Sequence, residues 1–336
     1  MSRYGTNCAQ STREILGLIA TVALLPAVLP SVSLATECVI FVIATLGCNL
    51  LLGRVGLLSF GQGIFFGAGS YATGLAIVRL GAGPVFSLSA ALLLGSMVAA
   101  LIGSLAARRR GVYFIMLTLA FTQMCYFLAF GMSGVTGGDN GLLGVSRPPL
   151  SFLGTTLLPL DSDLSFYALC SIICVAVYAL LARVTGSPFG AVLVAIRENE
   201  SRTFAVGYNP LAYKILAFVL SGMVTAVAGG LYAMFLRFVP LSNIDISMSE
   251  RILIMTMLGG VGSLFGGVIG AVTVVVLSHL LSDLWSRWIL LLGLVLIVVA
   301  VCLPGGLWSA LQWIATALRR GVIGMSPRRA HLPLEK

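Results

Sequence analysis

The chain has 336 residues, of which 59% are hydrophobic and only 9% are charged. An ordinary soluble domain has about 25% charged residues, so a soluble fold is excluded and most of the surface must face lipid. The net charge of +9 does not indicate nucleic-acid binding. The basic residues lie between apolar runs, where orientation in a membrane explains them better.

Taken in chain order, the apolar runs predict an all-α polytopic membrane protein of about ten helical segments. Residues 1–14 are polar and basic and are predicted to form an N-terminal tail. Eight runs then have about the ~20 residues that a hydrocarbon core requires. They are 15–34, 36–53, 57–79, 85–106, 111–131, 164–183, 213–236 and 286–304.

The stretch 251–282 is too long for one span, and the glycine-rich residues 259–263 interrupt it. It is predicted to form two segments, a short helix and a longer one, as a hairpin or re-entrant pair. A helix broken at membrane depth is tolerated only where it is buried in protein or lines a cavity.

The distribution of charge orients these spans. With the N-terminus in the cytoplasm, most of the 20 basic residues fall on the cytoplasmic side, as the positive-inside rule requires. This arrangement makes 251–282 enter and leave on the outer side. The membrane domain is then 15–304, with a long outer loop at 132–163, a long cytoplasmic loop at 184–212 and a cytoplasmic C-terminal tail at 305–336.

Several chemistries are excluded by what the sequence lacks. A P-loop needs a lysine after glycine, and neither Lys214 nor Lys336 follows one. No proposed span has a central carboxylate, which disfavours ion coupling. The histidines, His279 and His331, have no acid–base partners nearby in sequence, and the seven cysteines lack metal-ligand spacing. We therefore expect no enzyme activity, metal or cofactor, and any ATP must bind a separate subunit.

Neutral polar side chains remain within the apolar runs. They could line a pathway for a polar solute, or they could form hydrogen bonds between helices. A buried amide is costly unless it is satisfied, so the two glutamines are the strongest pathway candidates. The candidate pore-lining residues are Asn49, Ser59, Gln62, Tyr71, Thr118 and Gln123.

The cytoplasmic loop predicts a short amphipathic helix. Ser187 suits an N-cap and Pro188 suits the first helical position. An apolar run follows and ends in the charged residues 197–200. Only lipid headgroups or a partner protein could cover its apolar face.

At this point the sequence resembles a known family, the permeases of branched-chain amino acid ABC transporters, and in particular their LivM-type subunit. The resemblance covers about residues 36–305 and rests on motifs in the family's order. They are 49–63 (NLLLGRVGLLSFGQG), 110–124 (RGVYFIMLTLAFTQM), 136–142 (TGGDNGL), 187–190 (SPFG), 195–200 (AIRENE), 207–209 (GYN), 213–214 (YK) and 258–266 (LGGVGSLFG).

The resemblance implies that the cytoplasmic loop forms a coupling helix that sits in a groove on an ATPase. Arg197 and Glu198 are expected to make polar contacts with that ATPase, and Ile196 and Phe189 to form an apolar anchor. The expected coupling residues are Ser187, Pro188, Phe189, Gly190, Ala195, Ile196, Arg197, Glu198, Asn199, Glu200 and Gly207.

The resemblance also implies partners and a location in the bacterial inner membrane. The expected partners are ABC ATPase subunits, a second permease of LivH type, a periplasmic substrate-binding protein and the lipid bilayer. The outer loop is a candidate for docking the binding protein through Gly137, Gly138, Asp139 and Asn140, or it is a plain glycine-rich connection. Urea or another small amide is the rival solute, and an ion-coupled secondary transporter or a channel is the rival class.

Overall fold

The computed structural model describes residues 2–152, 155–158, 160, 162–284, 290, 291, 293, 294, 297 and 305–312. These residues are nearly all helical. The α-helices are α1 (Ser2–Val28), α2 (Val32–Asn49), α3 (Gln62–Leu80), α4 (Pro84–Ala106), α5 (Val112–Gly131), α6 (Ser133–Thr136), α7 (Asp163–Gly186), α8 (Pro188–Glu198), α9 (Glu200–Ala205), α10 (Pro210–Leu236), α11 (Ile246–Gly259) and α12 (Leu264–Leu284).

The helix boundaries follow from local sequence. Pro84, Pro188 and Pro210 each stand in the first turn of a helix, where the missing N–H costs nothing. A π-helical turn, Leu50–Val55, extends α2 and ends at Gly56, which adopts a left-handed conformation. Gly81 ends α3 in the same way.

Seven helices in the described part of the chain are long and apolar enough to cross a membrane. They are α2 with its π-helical turn, α3, α4, α5, α7, α10 and α12. The prediction of a multi-pass membrane protein is therefore confirmed. The total of about ten segments stays a prediction, because the apolar part of α1 is only Glu14–Val28 and the predicted span 286–304 lies almost wholly outside the described residues.

The centre of the bundle is α10, which packs against α4, α3 and α2. Glycines allow α3 and α10 to touch backbone to backbone. A Cβ on Gly69 would overlap the Ala226 carbonyl, and a Cβ on Gly229 would overlap the Phe66 carbonyl. The Ser70 hydroxyl donates to the Gly229 carbonyl at 2.8 Å. This is the close approach that small residues give to membrane helices.

Two non-helical stretches lie inside the bundle. Residues 56–61 connect the π-helical turn to α3, and residues 237–245 connect α10 to α11. The second stretch leaves α10 at Arg237, which has a left-handed φ of 60°. It then passes a short 3-10 turn, Leu241–Asn243, before Asp245 caps α11. Both stretches are largely buried, which is the condition for irregular backbone at membrane depth.

Helices α11 and α12 form the two segments predicted within 251–282. The break predicted at residues 259–263 is confirmed, because α11 ends at Gly259 and α12 begins at Leu264. Arg251 pairs with Glu37 at 3.0 Å and the Gly262 N–H donates to Asn49 at 3.1 Å, so α11 runs parallel to α2. Whether the pair is re-entrant stays a prediction.

The bundle has two distinguishable ends. We call the end where α7 passes into α8 the α8 end. A cavity there is lined by Glu14 of α1, by Gly186 at the end of α7, by Gly262 between α11 and α12, and by Trp308. Residues 306–312 are helical. The polar start of the first predicted span and the segment after residue 304 thus lie at one end of the molecule.

The outer loop 132–163 contains more structure than the sequence predicted. It holds α6, a 3-10 turn Gly138–Asn140, and two short antiparallel strands, β1 (Leu150–Phe152) and β2 (Thr155–Leu158). The all-α prediction is confirmed to the extent that the described residues are nearly all helical, and these two short strands are a local exception. Helix α1 begins at Ser2, so helical backbone continues through the predicted tail 1–14.

The glycine contact between α3 and α10 gives the first testable prediction. We expect Gly229→Val to destabilise the protein by about 3 kcal/mol or more, because the new side chain meets backbone atoms of α3 that have no room to move. Thermal unfolding of the detergent-purified protein measures this. Gly134→Ala is the control, since nothing lies within 4 Å of a Cβ at that position. Equal melting temperatures for the two variants would contradict the role of this contact.

Candidate functional site

Helix α8 lies on the end of the bundle with one face buried and one exposed. Leu193 is fully buried and Ile196 is 4% exposed. Ala191, Ala195 and Glu198 are exposed on the other side. The helix is amphipathic as predicted, and Pro188 occupies its first turn.

The burial of α8 corrects the predicted apolar anchor. Ile196 is packed inside its own chain, so it holds α8 to the bundle and offers no surface to another protein. Phe189 is half-buried and stacks on Tyr213 with ring centroids 5.6 Å apart. The sequence pattern identified an apolar face correctly but did not show that the same chain covers it.

The apolar surface that remains uncovered lies just after α8. Phe204 is 69% exposed and Val206 is 72% exposed. Both belong to the segment formed by α9 and the turn before Gly207, whose φ is +97°. Sequence reasoning missed these two residues, although two exposed apolar side chains beside a helix that is already packed are a signal for a partner.

Arg197 fastens α8 to the end of α2. Its Nη1 donates to the Gly53 carbonyl at 2.6 Å. A Cβ on Gly56 would lie 2.9 Å from the Arg197 Cγ, so glycine is needed where the arginine passes. The expected polar contact of Arg197 is therefore made at least partly within the chain, while Glu198 is exposed.

Glu200 fastens the start of α9 to two other elements. Its Oε2 accepts from Lys214 of α10 at 2.6 Å and from Arg110, which precedes α5, at 2.8 Å. The Lys214 side chain is 3% exposed, whereas that of Arg110 is 63% exposed. Sequence reasoning did not predict this three-residue cluster, because its members are distant along the chain.

Ser187 and Asn199 stand at the N-cap positions of α8 and α9. Ser187 stands at the N-cap position of α8 as predicted, but its hydroxyl donates back to Val184 at 2.6 Å. Asn199 separates α8 from α9 and accepts from the Arg202 N–H at 2.9 Å. Gly190 is buried, and a Cβ there would overlap the Thr185 carbonyl.

Four neutral polar residues satisfy the irregular backbone at residues 56–61. Thr118 accepts from the Phe60 N–H at 3.2 Å, and Ser249 and Thr122 donate to the Phe60 carbonyl. The Ser59 hydroxyl accepts from the Gly61 N–H at 3.1 Å. These bonds replace the helical ones that Phe60 lacks, as a buried backbone requires.

Asn49 and Gln62 connect helices within the bundle. Asn49 binds both sides of the turn between α11 and α12, donating to the Ser263 carbonyl at 2.6 Å and accepting from Gly262. The Gln62 amide donates to Ser221 at 3.1 Å and accepts from Thr225 at 2.8 Å. Gln62 is 0% exposed. These contacts are the hydrogen bonds between helices that the sequence analysis gave as the alternative to a pore-lining role.

Tyr71 and Gln123 differ from the other pore candidates. Tyr71 is 5% exposed, and its hydroxyl has no hydrogen-bond partner among the described residues. Gln123 is half-buried on α5. In this conformation Gln123 alone of the six candidates has a side chain at the surface of the chain, and its role stays a prediction.

At the end opposite α8, the glycines of the outer loop have a conformational role. Gly137 and Gly138 have left-handed φ values of 81° and 59°, which other residues rarely adopt. Asp139 and Asn140 are exposed on the turn that these glycines create. The docking role predicted for them stays a prediction.

Arg147 in the same loop caps the end of α10. Its guanidinium donates to the carbonyls of Met234 and Phe235, each at 3.1 Å, and to Asp163 at 2.8 Å. It also lies 4.5 Å from the ring centroid of Phe166. A cation at a helix C-terminus is stabilised by the helix dipole. The sequence located this arginine in the loop but gave no indication that it ties α10 to α7.

A bundle of apolar helices with buried irregular backbone and an amphipathic helix on one end defines a multi-pass membrane protein. Residues 31–301 match the family described as branched-chain amino acid transport system, permease component. The chain belongs to that family.

Curated relatives agree with this assignment and with the predicted LivM-type resemblance. The chain is 29% identical over 295 residues to the high-affinity branched-chain amino acid transport system permease protein LivM of Salmonella typhimurium, which covers 82% of this chain and 69% of that protein. The LivM of Escherichia coli is 28% identical with the same coverage. A probable LivM from Methanocaldococcus jannaschii is 23% identical over 82% of this chain and 85% of that protein. No solved structure matches the chain.

The ion pairs of Glu200 give the second prediction. We expect Glu200→Gln to destabilise the protein by about 3 kcal/mol, because it leaves the buried Lys214 charge without a carboxylate. Arg110→Gln removes only an exposed partner of the same carboxylate, so it should cost less than about 1 kcal/mol. Chemical denaturation of both purified variants measures the difference. Similar losses in the two variants would show that the Lys214 contact is not the dominant one.

Proposed function

We propose that this chain is the membrane permease subunit of an ATP-binding-cassette importer for branched-chain amino acids, and that α8 is its coupling helix. The observation that carries this is the uncovered surface of α8 and α9 at one end of the bundle. Ala191, Ala195 and Glu198 face outward, and Phe204 and Val206 lie beside them. A surface of this kind suits docking to a groove on another protein.

The fastening of α8 supports a mechanical role. Arg197 ties it to the end of α2, and Glu200 ties the adjoining α9 to α10. A short helix fastened at its C-terminal end moves with the spans it contacts, and rigid-body shifts are passed between subunits in this way. ATP hydrolysis takes place in a separate ATPase, and this chain performs no reaction of its own.

The proposed orientation puts the α8 end in the cytoplasm of a bacterium, with the protein in the inner membrane. Both chain termini are then cytoplasmic, in line with the position of Glu14 and Trp308 at that end. The exposed residues Asp139 and Asn140 face the periplasm and are available to a substrate-binding protein. A second permease of LivH type completes the pathway.

Branched-chain amino acids are the proposed solutes because the family and the curated relatives carry that description. Urea or a small amide is the alternative within the same class. The rival class, an ion-coupled transporter, would need titratable groups in the spans. The charged side chains of the described bundle are instead used in contacts such as Arg251 with Glu37.

The third prediction tests the coupling helix at Ala195, which is exposed and so can be changed without unseating α8. We expect Ala195→Arg to reduce solute-stimulated ATP hydrolysis by at least about tenfold, because the long charged side chain blocks docking. The assay uses the complete importer in proteoliposomes with its binding protein. The amount of ATPase that purifies with the permease gives a second measurement of docking.

Ala195→Ser is the matched control, since a small polar side chain leaves the surface nearly unchanged. It should hydrolyse ATP at the wild-type rate. Full stimulated hydrolysis by Ala195→Arg, in a preparation with wild-type yield, would remove α8 from the coupling role.

The fourth prediction concerns the solute and the energy source. Vesicles with the complete importer and internal ATP should accumulate labelled leucine, with competition by isoleucine and valine and none by urea. Vesicles that contain this chain alone should not accumulate leucine, with or without an ion gradient. Uphill uptake by the chain alone would favour the ion-coupled class, and competition by urea would favour the small-amide alternative.

A further inference from the structure

A polar cavity of about 420 Å³ lies at the α8 end, within the ~300–1,000 Å³ typical of small-molecule sites. Its walls come from five separate parts of the chain. They are α1, the π-helical turn, the last turn of α7, the turn between α11 and α12, and the helical residues 306–312. The proposed transport role does not account for this cavity.

One side of the cavity is electropositive. Arg54 lines it and has no ion-pair or hydrogen-bond partner among the described residues. The neighbouring Gly53 packs on Gly262, so Arg54 stands beside the turn that leads into α12. The N-terminus of α12, at Leu264, lines the same cavity. The Ser263 hydroxyl caps the Gly266 N–H at 3.0 Å, and the helix dipole still favours a negative charge there.

The other side of the cavity is electronegative. Glu14 lines it and its Oε2 accepts a hydrogen bond from Tyr178 of α7 at 3.0 Å, while its Oε1 has no hydrogen-bond partner among the described residues. The last residues of α7, Ala182, Thr185 and Gly186, also line this side. A helix C-terminus presents carbonyl oxygens and the negative end of the dipole, which favour a cation.

Glu14 and Arg54 do not form an ion pair with each other, although they face one cavity. Arg54 lies on the side of a helix N-terminus, which also attracts anions, and Glu14 lies on the side of a helix C-terminus, which also attracts cations. The apolar part of the lining consists of Leu264, Ala182 and the Trp308 ring. A ligand that fits has a carboxylate at one end, an ammonium group near it and a compact apolar body.

We propose that this cavity binds an apolar α-amino acid from the α8 side, with its carboxylate at Arg54 and its ammonium group at Glu14, and that this binding slows import. The inference rests on the proposed function, because it makes the transported solute its own inhibitor. Gly186 directly precedes α8, and Arg54 directly follows the Gly53 that Arg197 binds. A ligand across the cavity therefore restrains the elements that α8 must move.

The binding test uses the complete importer without its binding protein, and labelled leucine as the probe. Arg54→Gln and Glu14→Gln should each weaken leucine binding by about tenfold, the effect of one lost charge-assisted hydrogen bond. Glu14→Gln keeps an oxygen for Tyr178, so its fold is preserved. Arg183→Gln is the matched control, since Arg183 is an exposed arginine of α7 outside the cavity lining, and it should bind as the wild type does.

Two analogues test the assignment of the charges. Isocaproate lacks the ammonium group of leucine and isoamylamine lacks the carboxylate, and each should bind at least about tenfold more weakly than leucine. Isocaproate binding as tight as leucine would show a simple anion site, such as one for a phosphate, and would overturn the proposal.

The transport test uses vesicles that contain ATP with or without unlabelled leucine inside. Internal leucine should slow the uptake of external labelled leucine by about fivefold in the wild type, the lower end of common allosteric couplings. It should have little effect on Arg54→Gln and Glu14→Gln, which import normally from empty vesicles. A wild type that imports leucine regardless of the internal concentration overturns this inference alone. A wild type that never imports leucine overturns the proposed function.

Discussion

The close contact between α3 and α10 is the constraint on which the rest of the structure depends. Within lipid the hydrophobic effect gives no preference for helix over lipid contact, so packing must hold the helices together. The glycines at 69 and 229 bring the two backbones together, and Ser70 adds a hydrogen bond across them. Gln62, the first residue of α3, joins this helix to Ser221 and Thr225 of α10.

That tight centre makes the two irregular stretches possible. The chain leaves helical geometry at residues 56–61 and 237–245, where its N–H and C=O groups would be unsatisfied in lipid. Thr118, Thr122 and Ser249 bind the first stretch, and the Asn243 side chain in the second donates to Ser70 at 3.2 Å. Polar side chains within the spans are thus used to hydrogen-bond the irregular stretches. These bonds are a second explanation for the neutral polar residues that suggested a polar pathway.

Sequence reasoning succeeded where the information is local. Apolar runs located the spans, the glycines at 259, 260 and 262 located the break between α11 and α12, and proline marked the start of α8. It failed where the outcome depends on a distant partner. The Gln62 amide forms its hydrogen bonds with residues about 160 positions away in the sequence. Ile196 lies on an apolar helix face that could pack against another protein or against its own bundle. Periodicity shows which face is apolar, but only tertiary packing shows what covers it.

The way α8 is attached decides how a force applied to it would travel. The chain is loosely packed where the α8–α9 segment joins its two spans, because a Cβ at Gly186 or Gly207 would meet nothing within 4 Å. The non-covalent connections are firm, because Arg197 holds a backbone carbonyl of the π-helical turn and Glu200 holds the buried Lys214. A push on α8 would therefore reach α2 and α10 through these two contacts more than through the chain ends. Since Ser221 of α10 donates to the Gly47 carbonyl of α2 at 2.7 Å, the two spans would respond together.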